Sequence, residues 1–410
     1  MPHALGNDDF VPVILGTNLN AYNQARSLHE AFGVRSLALG RAALRETAHS
    51  KIVEVRAYRE FDDPEFIVET LQEIAREFAG RKLLLYPDIE YYATVVLENR
   101  DRLADFLIPL VSSELADQIM TKTDFYATCE RLGVPHPRSV IVAPEDAQER
   151  LGGDLPFSFP VVVKPSNTDT YPRLQFAGKQ KIYVVKDRRE LESVVSRIFA
   201  AGYEDEIVVQ EFIAGDESVM QVANTYSDAS GRLRFVSVGQ VALTEYDPAL
   251  IGNNNAIIST ADEALTESLQ TLLDGLGYVG YANFDIMFDR RDGTSQLLEI
   301  NLRQGATSFY TMAGKGNITR CAVDDLVYGK QLPWTVVGIE RLWINLPLII
   351  ALIFIPKSMR GAALRALRRP AVHTLRYRRD FSPRRAIEVA RIDLRQTLAY
   401  FKYFRTRNAR

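Results

Sequence analysis

The N-terminal third of the chain alternates short apolar runs with stretches of helical periodicity. Phe10–Leu15 is an apolar run that stops at Gly16, and Ala21, Ala25, Leu28 and Phe32 follow at helical spacing. That pattern predicts strand, turn and helix. A second such unit is expected at Ile52–Val55 and Glu65–Phe78, with a third strand at Lys82–Tyr86. Alternation of this kind implies a parallel sheet covered by helices. Gly16, Asn18 and Asn20 form either a ligand-binding turn or a plain tight turn, since no full glycine fingerprint accompanies them.

From Lys122 the pattern changes. A helix is expected over Thr121–Leu132, closed by Gly133 and kept from resuming by Pro135 and Pro137. Strands are expected at Pro160–Lys164, Lys181–Val185 and Ile207–Phe212, with a helix through Leu191–Ala200. Further strands near Val219–Thr225 and Phe235–Leu243, a helix at Ala264–Leu276 and a hairpin over Ala282–Leu302 complete the region. Helices set against largely antiparallel strands point to an α+β body.

The hairpin is the most regular stretch. Phe284, Ile286 and Phe288 alternate with Asn283, Asp285 and Met287, so the two sets face opposite sides of a strand. After the turn Arg290–Thr294, the residues Leu298, Ile300 and Leu302 are expected to face the core, leaving Glu299 and Asn301 on the other side. Folding about Asp292 sets Asp285 opposite Glu299 and Asn283 opposite Asn301. Opposed carboxylates on one sheet face repel. A cation, a shared proton or a basic side chain would make the arrangement favourable, and a hard divalent ion with oxygen ligands, typically magnesium carrying nucleotide phosphates, fits best; a solvated polar face is the bland alternative.

Composition narrows the picture. The chain has 410 residues, 47% of them hydrophobic, enough for more than one core. Met1 to Asp9 lacks the basic end and apolar run of a signal peptide. Cys129 and Cys321, the two cysteines, are far apart, which suits a reducing cytoplasm and excludes a disulfide framework. The five histidines show no metal-ligand spacing, and His136, between Pro135 and Pro137, reads as a loop residue. The net charge of −3 conceals an asymmetry. Lys357–Arg410 holds 16 Lys/Arg and 3 Asp/Glu, a balance of +13, which leaves 33 and 49, a balance of −16, for the rest. An acidic body carries a basic tail.

Lys164 ends the apolar run of Phe159–Pro165, where an ammonium group suits a phosphate. The following loop, Ser166–Gln180, contains Gly178 and Lys179 and is a candidate flap over phosphates. Gln210–Glu217 leaves a strand through a short linker whose backbone groups suit an adenine edge.

In order, Lys122, Lys164, the hinge Gln210–Glu217, Asp285 and the pair Glu299/Asn301 resemble the ATP-grasp superfamily. The resemblance implies that Lys122 and Lys164 contact ATP phosphates, that Gln210, Glu211 and Ile213 hold adenine, and that Glu217 binds ribose. It also implies magnesium, with manganese as a substitute, on Asp285, Glu299 and Asn301. The stretches Ala214–Met220, Thr225–Tyr226 and Glu245–Asn254 are similar to the D-aspartate ligase group of peptidoglycan synthesis. In that group a D-aspartate carboxylate is joined to a lysine amine of a muramyl-peptide precursor. D-alanine–D-alanine ligases carry Arg two residues before the metal Asp, where this chain has Asn283; Arg303 is the candidate replacement cation.

The expected fold is α/β and α+β: an ATP-grasp fold with an N-terminal Rossmann-like pre-ATP-grasp domain (1–115), an ATP-grasp domain (116–335) and an apolar, then basic, helical tail (336–410). The expected chemistry is a carboxylate–amine ligase, with Lys164 and Arg303 beside the transferred phosphoryl group and the Gly305 N–H on the developing oxyanion. Thr244–Asn255 is the candidate amino-acid or acceptor loop. Other small carboxylate/amine pairs, or an ATP-binding regulator without turnover, are the alternatives. Leu346–Ile355 is too short to span a bilayer. With Trp343 and the apolar face Ile387, Ala390, Leu394, Leu398 and Phe401, it suits an in-plane contact with anionic membrane, which would put a cytoplasmic enzyme at the inner face. Packing on the acidic body or in a dimer competes with that reading. Nucleic acid is disfavoured because no recognised nucleic-acid fold accompanies the charge.

Overall fold

The computed structural model describes residues 5–167, 170–250 and 252–407, apart from the side chains of Pro172, Ala249 and residues 405–407. Met1 to Ala4 of the start, Thr168 and Asp169 of the expected flap, and Ile251 of the expected substrate loop lie outside the described residues. The chain divides into two compact units. One comprises Met1–Ser113, Asp216–Phe284 and Asn301–Arg410, the other Glu114–Gly215 and Asp285–Ile300.

In the first unit, the βα alternation yields a five-stranded parallel sheet in the order Val53–Ala57, Ser36–Gly40, Phe10–Leu15, Lys82–Pro87, Phe106–Leu107. Phe10–Leu15 is fully buried, as an apolar run inside a covered parallel sheet should be. The helix Leu19–Phe32 starts at Asn18, whose side chain accepts from the N–H groups of Asn20 and Ala21, and ends at Gly33 in the left-handed conformation. The strand Ser36–Gly40 was not foreseen; Ser-Leu-Ala-Leu-Gly is too short to separate from the end of a helix by periodicity.

The larger sheet runs Thr294–Asn301, Gly280–Asp289, Met220–Ser227, Leu233–Thr244, Asn254–Thr260, Arg341–Ile344, Val372–His373, with Thr335–Val337 pairing beside Leu233–Thr244. The two hairpin strands continue through both units, Asp285–Ile300 belonging to the second. Asn254–Thr260 shortens the expected loop from Thr244 to Asn255, because Asn254 already begins a strand. Trp343 departs from the membrane reading. It sits in a strand with no exposed surface, its indole N–H donating to Thr374 Oγ1 at 2.9 Å. The tail forms helices at Leu348–Phe354, Lys357–Ala366 and Pro383–Arg407.

The second unit holds a four-stranded antiparallel sheet in the order Ser139–Val142, Ile207–Glu211, Val161–Pro165, Tyr183–Val185. Val161, Val163, Val185, Leu191, Ile198 and Val209 form part of its core. The helix Lys122–Leu132 starts at Thr121 and ends at left-handed Gly133.

Candidate active site

In the second unit, the positive charges expected to meet phosphate gather against the hairpin carboxylates. Lys122 opens its helix because Thr121 caps it, and its ammonium lies 3.6 Å from Glu299. Lys164 sits near the end of a buried strand and donates to Gln210 Oε1 at 2.8 Å. Burial, then repulsion from Lys122, lowers its pKa to about 8, against the pull of Glu299 and Asp285. Four charged groups therefore share one field. The Tyr126 hydroxyl lies 2.9 Å from Gln210 Oε1 and 3.0 Å from the Leu298 carbonyl, so its single proton serves one of them. Sequence reading missed Tyr126. Its spacing of four from Lys122, on the same helix face, was the available signal.

The hinge residues divide by side chain. The Gln210 amide is turned to Lys164. The Glu211 carboxylate pairs with Arg138 at 2.8 Å and with Arg291 at 2.5 Å, and those guanidinium groups hold its pKa below the usual range. Glu211 and Ile213 border a cavity of about 660 Å³ together with His136, Arg138, Asp289 and Arg291. His136, at 3.1 Å from the Val134 carbonyl and stacked on Tyr126, is a loop residue as expected.

In the first unit, Asn301 donates its side-chain N–H to Asn283 Oδ1 at 3.3 Å, in keeping with the register that sets those residues opposite each other. Asn283 in turn donates to the Ala223 carbonyl at 3.1 Å. The Asn301 amide nitrogen is thereby engaged, which leaves its oxygen as the atom suited to a cation. Leu298 is only half-buried, whereas Leu297 is wholly buried and donates its N–H to the Pro135 carbonyl at 3.0 Å. The expected alternation is thus broken at that point.

Gly305, whose N–H was expected on the developing oxyanion, donates that N–H to Asn224 Oδ1 at 2.9 Å. Glycine is required there for packing, because a Cβ would meet Asn283 Nδ2 at 2.7 Å and Asn224 Oδ1 at 2.8 Å. Asn224, fully buried in the strand Met220–Ser227, was missed by sequence reading, since it lies among other polar residues of that strand and nothing set it apart. Arg303 lies 3.2 Å from Glu90 and is the cation beside Asp88. Burial drives the Asp88 carboxyl up to about 8, while Arg303 pulls it back. Gly16 packs directly on that carboxyl, with φ +124, and Asn20 donates to the Asp88 carbonyl at 2.7 Å. Gly16, Asn18 and Asn20 are thus each tied into the turn and the helix that it opens. Glu217 is buried and accepts from Thr244 Oγ1 at 2.9 Å.

Among the described residues no group of three or more His, Cys, Asp or Glu could hold a metal. The candidate set differs in kind: Asp285, Glu299 and the Asn301 amide offer hard oxygen atoms, as magnesium requires, and an ammonium already neutralises Glu299. The donor chemistry fits the ion.

No protein-family model matches the sequence. A D-aspartate ligase of Enterococcus faecium (strain Aus0004) is 35% identical over 357 residues, spanning 85% of this chain and 85% of that protein. The chain belongs to the D-aspartate ligase family of ATP-grasp enzymes. A D-alanine–D-alanine ligase of Pseudomonas entomophila (strain L48) is 26% identical over 210 residues, 48% of this chain and 58% of that protein. Among solved structures, an L-amino acid ligase from Bacillus licheniformis shares the fold, with a TM-score of 0.54 and 18% identity over 78% of this chain and 74% of that one. The expected ATP-grasp architecture is therefore observed, and the protein is an ATP-grasp carboxylate–amine ligase that forms C–N bonds.

Proposed function

We propose that this ligase activates the side-chain carboxylate of D-aspartate and joins it to the lysine side-chain amine of a peptidoglycan peptide precursor. The observation that carries the nucleotide half of the reading is the gathering of Lys122 and Lys164 against Glu299 and Asp285. Its substrate half is supported by the 35% identity to a D-aspartate ligase across most of both chains.

A carboxylate is a poor electrophile and does not condense with an amine at neutral pH. Attack of the carboxylate oxygen on the γ-phosphorus of ATP expels ADP and gives an acyl phosphate. The amine then attacks the acyl carbon, phosphate departs with the C–O electron pair, and the amine's proton passes to solvent. Lys122 and Lys164 hold the phosphates, and Arg303 stabilises charge on the transferred group. Gln210 aims Lys164, and Tyr126 steadies Gln210. Adenine is held by the hinge backbone from Gln210 to Ile213, since the side chains of Gln210 and Glu211 are committed elsewhere; Glu217 takes the ribose. Asp285, Glu299 and Asn301 would hold magnesium, which would supply positive charge to neutralise phosphate.

The test is an ADP-release screen of L- and D-amino acids, each with and without a lysine-containing muramyl peptide. D-aspartate with the peptide is expected to stimulate release most strongly. Stimulation only by an unrelated acid would remove the cell-wall assignment, and ATP binding without release under any pair would favour a regulator.

A further inference from the structure

The C-terminal helix Pro383–Arg407 has two apolar faces, and the fold uses one of them. Arg385, Ile392, Gln396 and Tyr400 point into the protein and are at most 7% exposed. On the opposite side Ile387, Leu394, Leu398 and Phe401 are 53%, 59%, 59% and 58% exposed. At about 100° per residue these four fall, with Ala390, within an arc of about 80°. Arg384, Arg391, Arg395 and Lys402, all exposed, line one flank of that arc.

The row extends onto a neighbouring helix. Phe354 of Leu348–Phe354 lies 5.1 Å from Phe401 and 5.4 Å from Phe404 between ring centroids, and the same short helix exposes Ile349 and Ile353. Among the described residues no helix is long and apolar enough to cross a membrane.

We propose that this surface docks in the plane of an anionic lipid bilayer, with the apolar row in the acyl boundary and the arginine flank on the headgroups. Charge decides between occupants. Residues 357–410 carry a balance of +13, so a symmetric contact between two copies of this face sets like charge on like charge. A nucleic acid would use the arginines and leave the apolar row in water. An anionic lipid surface satisfies both faces together. The buried side of the helix reaches the candidate substrate loop. The Tyr400 hydroxyl donates to the Thr244 carbonyl at 2.7 Å, Asn255 donates to that hydroxyl at 3.0 Å, and the Tyr246 and Tyr400 rings are 4.4 Å apart. Docking would therefore bring lipid to within one helix of the loop from Thr244 to Asn255.

The proposal stands on the tail's own geometry and is tested without nucleotide. The full chain is sedimented with phosphatidylglycerol-rich vesicles and with pure phosphatidylcholine vesicles, at low and high salt. Binding is expected to the anionic vesicles alone and to weaken with salt. The double variant Leu394→Asp/Leu398→Asp should lose at least about tenfold of that affinity. Its thermal midpoint and its ADP release with soluble substrates should match the parent's, since both positions are exposed and outside the nucleotide machinery. Equal binding to both vesicle types, binding to neither, or unchanged binding by the variant overturns the proposal. A monomer–dimer equilibrium abolished by the same variant, without lipid binding, would assign the face to a second copy instead.

Discussion

Lys164→Met is expected to abolish turnover while leaving the unliganded protein at least as stable as the parent. Lys164 is held almost wholly out of water next to a second ammonium, and its pKa falls from 10.5 to about 8. At about 1.4 kcal/mol per pH unit, the buried charge costs roughly 3 kcal/mol at neutral pH. Methionine removes that cost and fills a similar volume. It also removes a hydrogen bond to Gln210 Oε1, a loss of about 1 kcal/mol, and the Tyr126 hydroxyl 2.9 Å away remains as a partner for that oxygen. The net expectation is a gain of about 2 kcal/mol.

The sign with pH follows from the direction of the shift. Below pH 8 both folded and unfolded chains hold the proton, and the penalty is fully present. Between about 8 and 10.5 only the unfolded chain retains it, so the parent gains stability as pH rises and the variant's advantage closes. Urea unfolding of both proteins at pH 7 and pH 10 reads this directly, and ADP release with substrates reads the chemistry. Turnover near the parent's would refute the phosphate role of Lys164. A variant destabilised by 2 kcal/mol or more would refute the desolvation argument.

Glu299→Gln keeps the shape and removes a carboxylate from the proposed magnesium set. ADP release should fall by about 100-fold or more, with a raised magnesium requirement, and normal release at ordinary magnesium would count against the hairpin site. Gly305→Ala places a Cβ 2.7 Å from Asn283 Nδ2, so a loss of about 1–3 kcal/mol in urea unfolding is expected; an unchanged midpoint would show that the asparagine cluster gives way freely. Arg303→Lys keeps charge and loses the planar fork beside Glu90. kcat should drop by at least about tenfold with a smaller change in KM for ATP, and an unchanged kcat would remove Arg303 from the phosphoryl transfer. Tyr400→Phe removes a hydroxyl bonded to Thr244 and Asn255. KM for the amino-acid or amine substrate should rise severalfold with ATP binding unaffected, and an unchanged KM would detach the loop from substrate binding.

Long periodic elements were legible in the sequence. Phe10–Leu15 and the helix ending at Gly133 lie where apolar pattern and glycine placed them. The hairpin was legible because alternation of Phe284, Ile286 and their polar neighbours holds over many residues. Short strands were not: Ser36–Gly40 and Asn254–Thr260 gain their identity from partners distant in sequence. Site chemistry divided in the same way. Charged residues in otherwise apolar strand patterns stand out, which is why Lys164, Asp285 and Glu299 could be named as candidates. What those residues touch was not, since Gln210 under Lys164 and Asn224 under Gly305 are set by tertiary contacts. Gly305 shows the limit plainly, because the partner of its N–H, Asn224, is set by the fold and not by the local sequence. The basic helix read as having one apolar face; its second, formed by Ile392, Tyr400 and neighbours, emerges only when the fold covers it.

The central claim is that the enzyme transfers the γ-phosphoryl group of ATP to an amino-acid carboxylate before forming the C–N bond. The direct measurement uses D-aspartate labelled with oxygen-18 in its side-chain carboxylate, incubated with ATP, magnesium and a lysine-containing muramyl peptide. The label is predicted to appear in the released phosphate in step with amide formation. Amide formed with unlabelled phosphate would contradict it.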